Sequence, residues 1–230
     1  MIRQILFLCG AALFVAVAST ATAAEVEEGF VSMFNGKDLT GWEGKPGGWW
    51  VEDGAITGQS TKEKPCKRCH YLMWRGGKPA DFELRLSYRI IGGNSGIQFR
   101  SREIPNWDTR GYQADFEAGR QWTGALFEHA RGGVAMRGTK VVIDADGKKT
   151  VTPLGDPAEL LKHVKADDWN EYHLIAHGSE IILKINGVVM SQAIDNDKSK
   201  AAKSGVIALQ MHPGPPMKVQ FKNIRIKLLD

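Results

Sequence analysis

Apolar and polar residues alternate along much of this chain, in short runs set off by turn residues. Across residues 81–90, Phe82, Leu84, Leu86, Tyr88 and Ile90 share one side of an extended chain, and Glu83, Arg85, Ser87 and Arg89 share the other. A period of two predicts a strand with one face on a core and one in water. Residues 171–176 and 180–185 predict a hairpin through His177-Gly178-Ser179, and 188–193 a further strand after Asn186-Gly187. Residues 218–228 predict a long strand whose pattern slips at Lys222-Asn223, the mark of a bulge. The one helical pattern is 156–164: Pro157 suits a first turn, and Leu160, Leu161 and Val164 recur at helical spacing. Turn signals such as Asn35-Gly36, Asp53-Gly54 and Asp146-Gly147 recur every ten residues or so, and these pairs accept the positive φ of tight turns. Many short strands at this spacing predict an all-β sandwich or barrel.

The start of the chain reads differently. Arg3 is followed by an uncharged run from Ile5 to Thr20 and by the small residues Ala21-Thr22-Ala23-Ala24. A basic start, a short apolar middle and a small-residue end predict a signal peptide over residues 1–24, cut near Ala24. The run is short for a membrane span, which takes roughly 20 apolar residues. The expected mature protein, 25–230, is one soluble domain, secreted or periplasmic, with no span of its own. The formal charge of +4 is dispersed among acids, and no basic stripe with interleaved aromatics points to nucleic acid. No dinucleotide glycine fingerprint, phosphate loop or Gly-x-Ser-x-Gly elbow appears.

Candidate chemistry lies in three middle segments. Gln98 and Arg100 share one side of their segment, as do Gln113, Asp115 and Glu117, and Gln210 and His212. Side by side, these strands would give one sheet face carrying amides, carboxylates, an Arg and a His. Amides and carboxylates hydrogen-bond sugar hydroxyls. A His and carboxylates move protons, and an Arg stabilises developing negative charge. An ordinary solvated face with incidental ion pairs is the bland alternative. Seven Trp residues favour a sugar, because an indole stacks on a sugar's C–H face; Trp107 and Trp122 are the candidates, and the other five read as core or edge packing.

Six segments together resemble a known family. They are Phe34-Asn35-Gly36-Lys37-Asp38-Leu39-Thr40-Gly41-Trp42, Trp50-Val51-Glu52-Asp53-Gly54-Ala55-Ile56-Thr57-Gly58, Asp81-Phe82-Glu83-Leu84, Gly93-Asn94-Ser95-Gly96-Ile97 with Arg100, Gly111-Tyr112-Gln113-Ala114-Asp115, and Phe221-Lys222-Asn223-Ile224-Arg225-Ile226. In this order they are similar to the 3-keto-disaccharide hydrolases of the concanavalin A-like lectin/glucanase superfamily. The resemblance implies a two-sheet antiparallel jelly roll, with one short helix, acting on a small carbohydrate whose C3 hydroxyl is oxidised. A C3 ketone acidifies the C2 hydrogen, so a base can form an enolate, the C1 substituent leaves by elimination, and water adds back. This route needs a base, an enolate stabiliser and an acid, not the carboxylate pair of ordinary glycosidases. The expected catalytic residues are Asp115 or His212 as base, Arg100, alone or with a divalent metal, at the enolate, and Glu128 or His212 as acid. Gln98, Gln113, Glu117, Gln210, Trp107, Trp122 and Arg131 are the expected substrate contacts. A non-catalytic carbohydrate-binding domain and a structural module of an envelope complex are the alternatives of the same fold.

Cys66-Lys67-Arg68-Cys69-His70 matches the spacing of a c-type haem attachment site. A Cys66–Cys69 disulfide or two free thiols are the other readings. The motif lies in a basic loop with no helices around it, at a place where the family has a variable, usually cysteine-free loop, which disfavours haem.

Overall fold

The structure, a computed structural model, describes residues 27–230. The expected signal peptide and its cleavage site lie outside the described residues. Seventeen strands and one helix follow in order. The first half comprises β1 (Val31–Ser32), β2 (Trp42–Gly44), β3 (Trp50–Glu52), β4 (Ala55–Ser60), β5 (His70–Trp74), β6 (Phe82–Ile91), β7 (Asn94–Ile104), β8 (Asp108–Glu117) and β9 (Leu126–Glu128). The second comprises β10 (Gly132–Ala135), β11 (Thr139–Ile143), β12 (Lys149–Pro153), α1 (Pro157–Leu161), β13 (Asn170–His177), β14 (Glu180–Ile185), β15 (Val188–Asp195), β16 (Val206–Met211) and β17 (Met217–Leu228).

Two sheets form a β-sandwich. The ten-stranded sheet runs β12-β11-β15-β14-β13-β6-β17-β4-β3, with β1 also on β17; the seven-stranded sheet runs β10-β9-β8-β7-β16-β5-β2. The period-two segment is β6 as expected: Phe82, Leu84, Leu86 and Tyr88 are at most 1% exposed, and their neighbours face outward. The β13–β14 hairpin pairs His177 with Glu180 across Gly178-Ser179. In β17 the pairing with β6 shifts between Lys222 and Arg225, and Asn223 takes φ 54° to make the bulge. Aromatic rings join the sheets. Tyr88 of β6 packs on Phe116 of β8 at 4.1 Å, and Phe116 meets Phe221 of β17 edge-on at 5.9 Å. Burying each such ring contributes roughly 1.5–3 kcal/mol.

The helix is shorter than its apolar pattern suggests. Asp156 caps it by accepting from the N–H groups of Ala158 and Glu159 at 2.8 and 3.0 Å. Beyond Leu161 the chain tightens into three-residue turns, His163 N–H to Leu160 and Val164 N–H to Leu161, so Val164 packs on the core from outside the helix. A five-residue helix lacks the length to propagate on its own.

Candidate functional site

The three polar segments are neighbours, because β8, β7 and β16 are adjacent in the seven-stranded sheet. Their outer face carries a pocket of about 560 Å³, with Asp115, Gln113 and Gln210 in its floor and Arg110, Trp122 and His212 around it. Asp115 is 4% exposed, and its carboxylate accepts a hydrogen bond from Gln113 Nε2. Burial pushes this carboxyl up to about 7, with Glu117 adding to the rise and the Gln113 bond opposing it. No cation pairs with it among the described residues. His212 donates through Nδ1 to the Pro213 carbonyl at 2.6 Å, which leaves Nε2 for other work.

A chain of amides underlies the pocket. Ser101 Oγ donates to Gln98 Oε1 at 2.6 Å, Gln98 Nε2 to Gln113 Oε1 at 2.7 Å, Gln113 Nε2 to Gln210 Oε1 at 3.1 Å, and Gln210 Nε2 to the Tyr71 hydroxyl at 3.0 Å. A buried polar side chain is costly unless bonded, and this network bonds each in turn. Gln98 is fully buried beneath Gln113, so the expectation that it touches substrate is corrected: it orients the next amide instead. Glu117 holds the neighbouring loop, accepting from the Trp122 N–H at 2.9 Å and from Asn94 at 3.4 Å. That contact sets Trp122 at the pocket, edge-on to Phe127 with ring centres 6.1 Å apart.

Arg100 is absent from this face. The β7–β8 pairing shifts between Phe99 and Arg102, and Arg100 itself adopts φ 44°. The bulge gives Ser101 the face that regular alternation assigns to Arg100. The guanidinium passes to the other sheet, donating to Ala80 O at 2.7 Å, Gly178 O at 2.9 Å and the Asp81 carboxylate at 2.8 Å. Opposite the bulge stands Gly111, where a Cβ would lie 2.3 Å from Ser101 Oγ and 2.7 Å from its Cα. A bulge also bends the ribbon that carries it. Beyond it, the β7–β8 hairpin crosses the outer face past β16, and the Trp107 carbonyl accepts from the Tyr71 N–H of β5 at 2.8 Å. Tyr71, Met73 and Ala208 are thereby buried outside the main core. The bent hairpin brings Asp108 and Arg110, joined at 2.9 Å, to the pocket rim. Arg110 was not among the expected residues, and an interior strand glycine at 111 is the signal that marks such a bend.

Glu128 and Arg131 are also placed elsewhere. In β9, Phe127 pairs with Gln113 and faces the pocket, so Glu128, paired with Tyr112, faces between the sheets. There Arg131 contacts Glu128 at 3.2 Å and Asp195 at 2.6 Å, with its guanidinium 5.5 Å over the Tyr112 ring. These groups form a buried structural ion cluster rather than a sugar contact. Trp107 lies in a second hollow beside the pocket. His129 does line the pocket, with Nδ1 3.1 Å from the Gly111 carbonyl, and its burial favours the neutral ring.

Cys66 and Cys69 are free thiols. Cys69 faces the pocket, 3.8 Å from Gln210 Nε2, and burial pushes its thiol up to about 11. His70 opens β5, edge-on to Trp49 at 6.1 Å, and burial holds its ring down to about 4. Among the described residues, no group of three or more His, Cys, Asp or Glu side chains is arranged to hold a metal ion. No helix among them is long and apolar enough to cross a membrane.

Known proteins share this architecture. A 3-keto-disaccharide hydrolase of Bacteroides thetaiotaomicron is 32% identical over 92 residues, a match spanning 36% of this chain and 31% of that protein. A candidate glycosyl hydrolase from Parabacteroides distasonis superposes with a TM-score of 0.57 at 20% identity, covering 88% of this chain and 95% of that one. The carbohydrate binding module CBM66 from Bacillus subtilis superposes with a TM-score of 0.54 at 15% identity, covering 83% and 98%. At these identities the two structures speak for the fold alone. Residues 29–227 match the model of the 3-keto-alpha-glucoside-1,2-lyase-like domain, and the chain belongs to that family.

Proposed function

We propose that this protein is an exported enzyme that cleaves 3-keto-glycosides by elimination across C1 and C2, followed by addition of water. The observation that carries the reading is Asp115, a buried carboxyl raised to about 7, in the floor of a polar pocket with an aromatic wall. A base poised near the working pH combines a useful ionised fraction with enough basicity to take a carbon-bound proton. Asp115 removes the C2 proton, and the electron pair moves into the C2–C3 bond as the ketone oxygen becomes an enolate oxygen. Arg110 faces that charge from the rim. The enolate then collapses, C1–C2 becomes a double bond, and the C1 oxygen departs with the bonding pair and takes a proton from Nε2 of His212, which serves as the acid when both ring nitrogens carry a proton. Addition of water across the double bond restores the C2 hydrogen and places a hydroxyl on C1. Trp122 and Phe127 offer apolar faces to the sugar ring, while Gln113 keeps one carboxylate oxygen engaged and leaves the other to the substrate. The family's description as lyase-like and the name of the Bacteroides thetaiotaomicron relative support the same substrate class. The basic start, apolar run and small-residue end of residues 1–24 support export.

The test is turnover of a 3-keto-glucoside by the wild type and by Asp115→Asn. Loss of about 10²–10⁴-fold in kcat with the fold intact is expected for a removed general base. Sugar binding without turnover of any oxidised glycoside would leave a non-catalytic binding domain in its place.

A further inference from the structure

The loop that carries Cys66 to His70 forms one wall of a second hollow, of about 620 Å³. Lys45, Lys67, Arg68, His70, Trp107 and Asp108 line it. Arg68, Cys69 and Asp108 belong also to the Asp115 pocket, so the two hollows share a wall and form one continuous groove. Their chemistry differs. The first holds the buried carboxyl and the amides. The second gathers three exposed cations, Lys45, Lys67 and Arg68, none of them in an ion pair among the described residues. Its one acid, Asp108, is already paired with Arg110 at 2.9 Å. His70 Nδ1 is buried without a hydrogen-bond partner. Trp107, half-exposed in a turn with φ 60°, contributes an indole, and its carbonyl is pinned to β5.

From this arrangement we infer that the second hollow is the subsite for the group leaving C1, and that it selects a leaving group with a negative charge and a flat ring. The inference rests on the proposed 3-keto-glycoside reaction, which puts the oxidised sugar over Asp115 and directs the C1 substituent along the groove. Three unpaired cations leave a net positive field where that substituent lies, and an indole beside them stacks on a planar ring. The cations sit near water, so their attraction acts over about the 8 Å Debye length of physiological salt and weakens as salt rises. Cys69, at the junction of the two hollows, separates the polar floor from the basic wall.

The experiment compares two 3-keto-glucosides with leaving groups of one shape, 4-hydroxybenzoate and its uncharged amide, 4-hydroxybenzamide. Wild type is expected to prefer the carboxylate by about tenfold in kcat/KM, equivalent to about 1.4 kcal/mol. The preference resides in KM and shrinks at high salt. In the double variant Lys45→Glu, Lys67→Glu the ratio falls to one or below. Equal kcat/KM for both substrates, or a preference that survives the double variant, overturns the subsite while the reaction stands. If neither substrate turns over, the reaction falls, and the subsite is then judged by binding alone. The unoxidised 4-carboxyphenyl glucoside is titrated into the purified protein, and the Trp107 indole N–H resonance, assigned with Trp107→Phe, is followed by NMR. A saturable shift that salt weakens upholds an anionic-ring site; no shift removes it.

Discussion

Arg100 and Arg110 stand on the two paired strands at one β-bulge, and their guanidinium groups make different contacts. Arg100 ties the seven-stranded sheet to Ala80, Asp81 and Gly178 of the other, while Arg110 reaches the rim of the Asp115 pocket. The two arginines therefore separate by experiment. Arg110→Gln is expected to lower kcat by about 10²–10³-fold, the scale of a lost oxyanion donor, with little change in melting temperature. Arg100→Gln breaks charged hydrogen bonds worth about 1.5–3 kcal/mol each, so it lowers the melting temperature and spares kcat in the folded fraction. Parallel kinetics and thermal unfolding of both variants make the comparison.

Asp115 gives a pH signature. It acts as a base only when ionised, so the limb of kcat/KM that Asp115 governs rises with pH through about 7. A pH–rate profile with no inflection between about 6 and 8 removes Asp115 from the role.

The same carboxyl makes an opposite prediction for stability. Its folded pKa of about 7 lies above the usual 3.8, so the native state holds its proton more tightly than the unfolded chain. Stability is therefore lost as pH rises from about 4 through 7. At about 1.4 kcal/mol per pKa unit, ionised Asp115 costs on the order of 4 kcal/mol above that window. Asp115→Asn is expected to match wild type in urea near pH 4 and to exceed it at pH 8. Equal midpoints at pH 8 would refute this.

Arg131 stabilises the far side of β9. Removing it in Arg131→Met leaves Glu128 and Asp195 buried without their cation, at a cost of about 3–5 kcal/mol. Urea denaturation reads this directly.

Gly111→Ala tests the bulge. The added methyl meets both the side chain and the Cα of Ser101, and cannot be accommodated by rotating one flexible group. A loss of about 1–3 kcal/mol is expected from such overpacking, together with a fall in kcat as the Arg110 strand shifts. Retention of both would show that the strands can part there without moving the rim.

Much of the site was legible because a strand's side chains alternate strictly. Gln113, Asp115, Gln210 and His212 are placed on one face by parity alone, and their strands are neighbours as expected. Parity fails at irregularities. Arg100 takes a positive φ itself and so leaves the face that alternation assigns to it. Glu128 carried no strand pattern of its own, because β9 has only three residues and its register is set by pairing with β8.

By itself the chain's alternation determined the sandwich, the inward faces of β6 and β13 to β15, and the membership of the Asp115 face, because these follow from local geometry repeated every two residues. Only tertiary packing decided which arginine reaches the pocket, that Gln98 is covered, and that a carboxyl two residues from another acid is raised rather than solvated. Those outcomes depend on desolvation and on a bend imposed where two strands disagree in length, and both are properties of groups brought together from distant parts of the chain.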